Sequence, residues 1–307
     1  MRVLLVLGVG VVVAALMVGQ PFVLVPETVL EQVVVWRLRA PRLVLGLLAG
    51  GCLGVAGLLL QESLRNPLAV PELLGVSSGA SAAVASCVAF GIAVPGAPLT
   101  PALVGAAIGG GVTLLAVRGA SSPAAVLLIG AAVSSACQAL MLASTAIADS
   151  REQGVLVRYL LGSLTGTTWP VLGPVAIGLA VAIPAVVLVW PRVRLLRLGD
   201  DEAHSAGLDP GRTRVLVLAA ASLLVAVVVG PAGPIAWVGF FAPRLARRLG
   251  ADSVLATALV GAVLVAGADV LARTVLYPVE LPVGGLTAFA AVALGLLTGR
   301  SAWSSRG

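Results

Sequence analysis

Three cysteines, one histidine, thirteen carboxylates and nineteen arginines are the residues of this 307-residue chain that could support covalent, metal or acid–base chemistry. Cys52, Cys87 and Cys137 stand singly in apolar stretches, without the paired spacing of a zinc or redox site, and read as small packing residues. His204 has no second histidine with which to complete a metal site. Every basic residue is arginine, which excludes both a Walker A phosphate loop and a lysine Schiff base. No catalytic constellation emerges, no metal is expected, and any ATP hydrolysis must belong to another chain. Twelve of the thirteen carboxylates, Glu62 and Glu72 among them, fall at the ends of apolar stretches or between them; Asp269 alone lies well inside one. A proton-driven carrier places ionisable groups near the bilayer centre, and that centre is expected to be nearly empty here. Asp269 and Arg273 are four residues apart, so they share a helix face and can pair.

The elements that position these residues follow from composition. With 59% hydrophobic and 10% charged residues, the chain has too little polar surface to cover a soluble globule. It reads as an integral membrane protein with a single transmembrane domain over residues 1–307. A hydrocarbon core of about 30 Å takes roughly 20 apolar residues per helix, and the runs are continuous rather than alternating, which disfavours strands. Ten spans are predicted: 3–22, 43–62, 73–94, 100–117, 124–147, 171–190, 213–230, 234–249, 254–272 and 284–299. The first is read as an uncleaved span rather than a secretory signal, and the eighth is short and interrupted by Pro243 and Arg244. An even number of spans puts both termini on one side. With the termini inside, 13 arginines face the cytoplasm and 6 face out, the direction of the positive-inside rule. The net charge of +6 is therefore topological, and no nucleic-acid partner is expected.

From the end of the second span into the start of the third runs RNPLAVPELLGVSSGAS, Arg65 to Ser81. Asn66, Pro67, Gly75, Ser77, Ser78 and Gly79 supply turn formers and small close-packing residues beyond what an ordinary turn needs. The loop 191–212 carries LGDDEAHSAG, in which Asp200 is placed to cap a short helix, Asp201 and Glu202 suit its positive end and Gly207 is placed to stop it. Ser150 to Leu164 contains REQGVLVRYLLGSL and reads as an amphipathic outer helix, followed by Gly166 and Trp169, with GSLTGTTW spanning its end; Arg118 to Pro123 reads as a tight inner turn. Arg39-Ala-Pro-Arg42 marks the outer entrance of the second span, with Pro41 in a first helical turn and both arginines exposed. A third outer arginine, Arg273, precedes LYPVELPVGG.

These strings, in this order from Arg39 to Ala288, closely resemble the permease subunits of the bacterial iron-siderophore, haem and cobalamin ABC importers. The resemblance implies an all-α polytopic fold of about ten transmembrane helices, the type II importer permease fold, in the bacterial plasma (inner) membrane with both termini cytoplasmic. It implies a dimer with a second permease copy or a homologous permease, two cytoplasmic ATP-binding subunits that use the ATP, and an extracytoplasmic substrate-binding protein. Arg39, Arg42 and Arg273 would meet acidic residues of that binding protein; headgroup anchoring is the alternative role for them. Gly199, Asp200, Asp201, Glu202, Ala203 and Gly207 would form the coupling region that contacts the ATPase, against the alternative of a solvated loop. The cytoplasmic gate would close near Arg118 to Pro123. No cofactor is expected on this chain. Two departures stand out: Arg244 replaces a histidine common in the family, and FAAVALGLLTGR lacks the usual Gly-x-Pro. The function implied is inward translocation of a ferric siderophore or similar chelate by alternating access, with haem or cobalamin as the other cargo. A secondary transporter and a membrane scaffold are the rival classes. The family also implies two five-helix halves of opposite topology, a repeat that the residues themselves do not display.

Overall fold

The computed structural model describes residues 2–19, 22–119, 122–148, 157 and 160–290, and these are helical with irregular connections and no strand. The order is α1 (Arg2–Met17), α2 (Val29–Val33), α3 (Ala40–Ser63), α4 (Val76–Ala89), α5 (Leu99–Ala116), α6 (Pro123–Ile147), α7 (Trp169–Leu196), α8 (Asp200–Ser205), α9 (Pro210–Ala232), α10 (Val238–Arg248) and α11 (Val254–Thr274); residues 283–290 open a further helix, α12. Among the described residues, six helical stretches are long and apolar enough to cross a membrane, and two more, Leu4–Met17 and Val76–Ala89, are apolar but shorter. The predicted outer helix over 150–164 lies outside the described residues except for 157 and 160–164, as does the second half of the predicted tenth span.

α3 is the axis of the molecule, with Leu45, Leu58, Leu59 and Leu60 fully buried. In lipid, apolar surface alone gives helices little reason to associate, so close packing at small residues must hold them. At Gly50 a Cβ would overlap the carbonyl of Gly261 on α11, and at Gly57 the carbonyl of Gly239 on α10. α4 meets α5 in the same way through Gly79 and Gly105. α1 lies on the outside of this core, where Ala15 joins Leu43 and Ala266 in one apolar cluster.

Helix α3 begins earlier than the sequence predicts. Thr28 and Glu31 form a capping box at α2, and a π-helical stretch, Val34–Arg39, carries α2 into α3, giving one 35-residue helical run from Val29 to Ser63. The eighth predicted span is also revised. α10 has 11 residues, about 16 Å at 1.5 Å per residue, half of what a bilayer requires. Its Arg244, Arg247 and Arg248 give it one polar side.

The third predicted span changes most. Residues 66–75 do not turn at the membrane surface but dip back between the helices. Pro71–Leu74 forms one 3-10 turn, Gly75 takes the left-handed conformation at φ 73°, and only then does α4 start. Ser134 Oγ donates to the Glu72 carbonyl (2.9 Å) and accepts from the Gly75 amide (3.0 Å). Ser134 lies eleven residues into α6, so this junction is about 16 Å from that helix's start. α10 begins alike, after an irregular stretch and a left-handed residue, Trp237, at φ 69°. A long helix, a break, a short helix and a long helix thus occur twice, as α3–α5 and α9–α11. The two runs have opposite sense, since the end of α3 meets the start of α9 where Arg214 Nε donates to the Ser63 carbonyl at 3.3 Å.

Candidate functional site

Charged residues gather at the two ends of α3. At its start, Arg39 and Arg42 are 6% and 8% exposed, so the expectation of two arginines open to solvent is corrected: the helix begins ten residues before Arg39, and both side chains turn into the packed interface. Arg42 Nε donates to Asp269 Oδ1 at 2.8 Å, and its Nη1 to Glu280 Oε2 at 3.0 Å. Glu280 also accepts from Thr165 Oγ1 at 2.6 Å, which draws the GSLTGTTW segment into the cluster. Arg39 Nη1 donates to the carbonyls of Leu16 (2.8 Å) and Met17 (3.1 Å), satisfying the last turn of α1. Arg273 donates to the Ala15 carbonyl and stands 4.0 Å from Asp269. The four-apart pair is therefore the looser contact of Asp269, and Arg42 from another helix is the tighter. Sequence reasoning missed that partner, although opposite charges buried in apolar helices must find one another.

At the end of α3, Glu62 accepts from Arg197 Nε at 2.8 Å and from Arg247 Nη1 at 3.2 Å. Gln61 accepts from Arg247 Nη2 (3.1 Å) and donates to the Gly239 carbonyl (3.2 Å). Arg197 also reaches Asp252, ahead of α11, at 3.3 Å. α7, α10 and α11 are thereby tied to one turn of α3. A Gln-Glu pair in the final turn of an otherwise apolar helix was the signal in the sequence.

α8 is held at the same end of α3, through Arg65 and Arg214. Its N-cap is Gly199, not Asp200, because Asp200 is already helical and its carboxylate is spent elsewhere: it accepts from Arg214 Nη2 at 2.5 Å and from Arg65 Nη2 at 3.4 Å. The Arg214 guanidinium holds this carboxyl below the usual aspartate range. Gly199 lies against Glu202, whose carboxylate a Cβ there would strike. Ala203 is fully buried, whereas Asp201, Glu202 and His204 are exposed. Gly207, at φ 82°, stops the helix as expected; its amide donates to the His204 carbonyl, and the Leu208 amide to that of Ala203.

In the re-entrant loop, Asn66 Oδ1 accepts the Leu68 amide (2.9 Å), and the Pro67 carbonyl accepts Arg244 Nη2 (3.2 Å). Arg244, the residue that departs from the family pattern, also covers the Phe240 ring at 3.8 Å. Gly75 and Gly79 make the close approaches, to Gly109 and Gly105 respectively, and Ser77 and Ser78 are buried on α4. Glu72 Oε1 accepts the Trp237 amide at 2.8 Å, while its Oε2 is buried with no hydrogen bond. The interior thus holds a second carboxylate besides Asp269, because the segment predicted to lie at a span end dips inward.

No group of three metal-ligating side chains occurs among the described residues. Two ionic clusters lie at the two ends of the close-packed α3, with the small polar helix α8 pinned to one of those ends. The chain matches the FecCD transport family over residues 2–297. It is 33% identical to the ferric enterobactin transport system permease protein FepG of Escherichia coli (strain K12), over 85% of this chain and 80% of that one. It is 34% identical to the hemin transport system permease protein HmuU of Yersinia pestis, over 82% and 79%. Among solved structures it superposes on a metal-chelate type ABC transporter in an inward-facing conformation with a TM-score of 0.85, at 30% identity and 97% coverage of both chains. The chain belongs to the FecCD transport family.

Proposed function

We propose that this permease carries a ferric siderophore inward by alternating access, driven by ATP that separate cytoplasmic subunits hydrolyse. The observation that carries the mechanical part of this reading is the anchoring of α8: a capped helix with an exposed acidic face whose first residue is bonded to Arg65 and Arg214. A push on that face from a docked ATPase travels through Asp200 to the start of α9 and the end of α3. Gly199, Asp200, Asp201, Glu202, Ala203 and Gly207 are the coupling residues in this reading, with Asp201 and Glu202 as the contact face. At the opposite end an extracytoplasmic binding protein docks. Arg39, Arg42 and Arg273 serve that docking from within, by fixing Glu280 and the outer end of α1 in the shape the partner meets. A second permease completes the pathway, and both termini are cytoplasmic. The similarity to ferric enterobactin and hemin permeases supports an iron-bearing cargo; the ferric siderophore is our proposal within that class, with haem or cobalamin as the other cargo.

Glu72 favours a second reading, proton-coupled transport, because a carboxylate with a buried unbonded oxygen is what such carriers use. Proteoliposomes holding the permease, its ATPase and its binding protein separate the two. ATP-dependent uptake of a ferric siderophore, unaffected by collapse of the proton gradient, is expected. Uptake without ATP that follows the gradient supports the carrier, and no uptake by a fully assembled complex supports a scaffold.

A further inference from the structure

A groove of about 750 Å³ runs between the last three turns of α7 and the first turn of α11. Val187, Trp190 and Leu255 give it apolar walls, and Arg194, Arg197 and Asp252 form its polar end. The charges at that end do not cancel. Arg197 is bonded to Glu62 and Asp252, which neutralises Asp252, whereas Arg194 is exposed and makes no ion pair or hydrogen bond among the described residues. α11 adds to the positive side. Ser253 Oγ takes the Ala256 amide at 3.1 Å, leaving the first-turn amides of Val254 and Leu255 without an acceptor among the described residues. Ile183, four residues before Val187 and so on the same face of α7, is exposed and apolar, which extends the apolar side of the groove along that helix. An anion held at one end of an apolar slot that opens sideways along a membrane-spanning helix calls for a ligand with both characters.

We propose that this groove holds an anionic phospholipid of the cytoplasmic leaflet, with its phosphate on Arg194 and the first turn of α11 and an acyl chain along Val187, Trp190 and Leu255. A free phosphate would leave the apolar length of the groove against water, and a zwitterionic headgroup would bring its own cation to Arg194. The leaflet assignment rests on the cytoplasmic placement of α8 proposed above; the headgroup preference does not.

Trp190 supplies the probe. The full chain is placed in nanodiscs with brominated phosphatidylglycerol or brominated phosphatidylcholine, and the Trp190 signal is taken as the difference from Trp190→Phe. Quenching is expected at about fivefold lower mole fraction of phosphatidylglycerol, with the preference lost in Arg194→Glu and kept in Arg194→Lys. Equal quenching by the two lipids, or an unchanged preference in Arg194→Glu, overturns the proposal. Relief of quenching by inorganic phosphate alone also overturns it by revealing a free-anion site, and relief on adding the ATPase subunits overturns it by revealing a protein contact. None of these readings involves cargo or ATP, so they stand apart from the import assignment. Labelling of Asp201→Cys by an impermeant thiol reagent in intact cells tests the orientation separately, and labelling from outside would overturn the leaflet assignment.

Discussion

Arg42 and Asp269 are each costly inside an apolar bundle and acceptable together. Replacing Arg42 by Met strands the Asp269 carboxylate, with Arg273 at 4.0 Å as its remaining partner, and is expected to cost about 3 kcal/mol of stability. Adding Asp269→Leu is expected to recover only part of that loss, because it removes the stranded carboxylate but leaves the buried Arg273 guanidinium with the Ala15 carbonyl as its partner. Thermal unfolding of the purified single and double variants in detergent checks this, and equal stability of the single variant and the parent would contradict it. Binding-protein affinity should fall in both, since Glu280 loses its bond to Arg42 in both. Part of this cluster was legible in the sequence: Asp269 and Arg273 announce themselves as charges within an apolar helix. Arg42 was placed at a rim because Pro41 resembles a helix start, and the local chain does not reveal that Val29 to Ala40 already form helix through a π-helical stretch. Glu72 was misplaced for a related reason. Its depth is set by Ser134 and Gly130 on α6, about sixty residues away in the chain.

Helix α8 shows the opposite case, where local signals suffice. Acidic residues at its start and Gly207 at its end mark a short helix in the sequence alone, and only the employment of Asp200 needed the tertiary structure. With Asp200 bonded to Arg214, substitution by Asn keeps the helix but removes the charge from its tether. Import per ATP is expected to fall about two- to fivefold while hydrolysis continues, measured in the reconstituted complex; an unchanged ratio would show that the tether transmits nothing. The sign of the pH effect follows from the depressed carboxyl. The charged contact is complete above the ordinary aspartate range and is lost only as pH falls through the lowered folded value. Coupling through this contact is therefore expected to be flat between about pH 5 and 8. The long helices α5, α6, α9 and α11 were equally legible in extent. The short ones were not, because α4 and α10 start from left-handed residues whose position depends on glycine contacts with neighbouring helices rather than on hydrophobic length.

At the scale of the whole molecule, α3 and α11 form one close-packed pair that carries Arg42 and Asp269 at one end and Glu62 and Asp252 at the other. Gly50 and Gly261 bring the two backbones together between those clusters, so a displacement at one end has little room to dissipate as sliding within the pair. The membrane class and the resemblance to importer permeases were legible from composition and five ordered strings. The opposite-sense pairing of α3–α5 with α9–α11 was not, because it is carried by backbone breaks at Gly75 and Trp237 that share no residue type. As proposed above, the permease is a passive conduit moved from outside itself through α8. Replacing residues 200–206 by a Gly-Ser linker of equal length and measuring cargo imported per ATP hydrolysed in proteoliposomes tests that directly. Hydrolysis that persists while import falls to background is the predicted result; import per ATP equal to that of the parent complex would contradict the account.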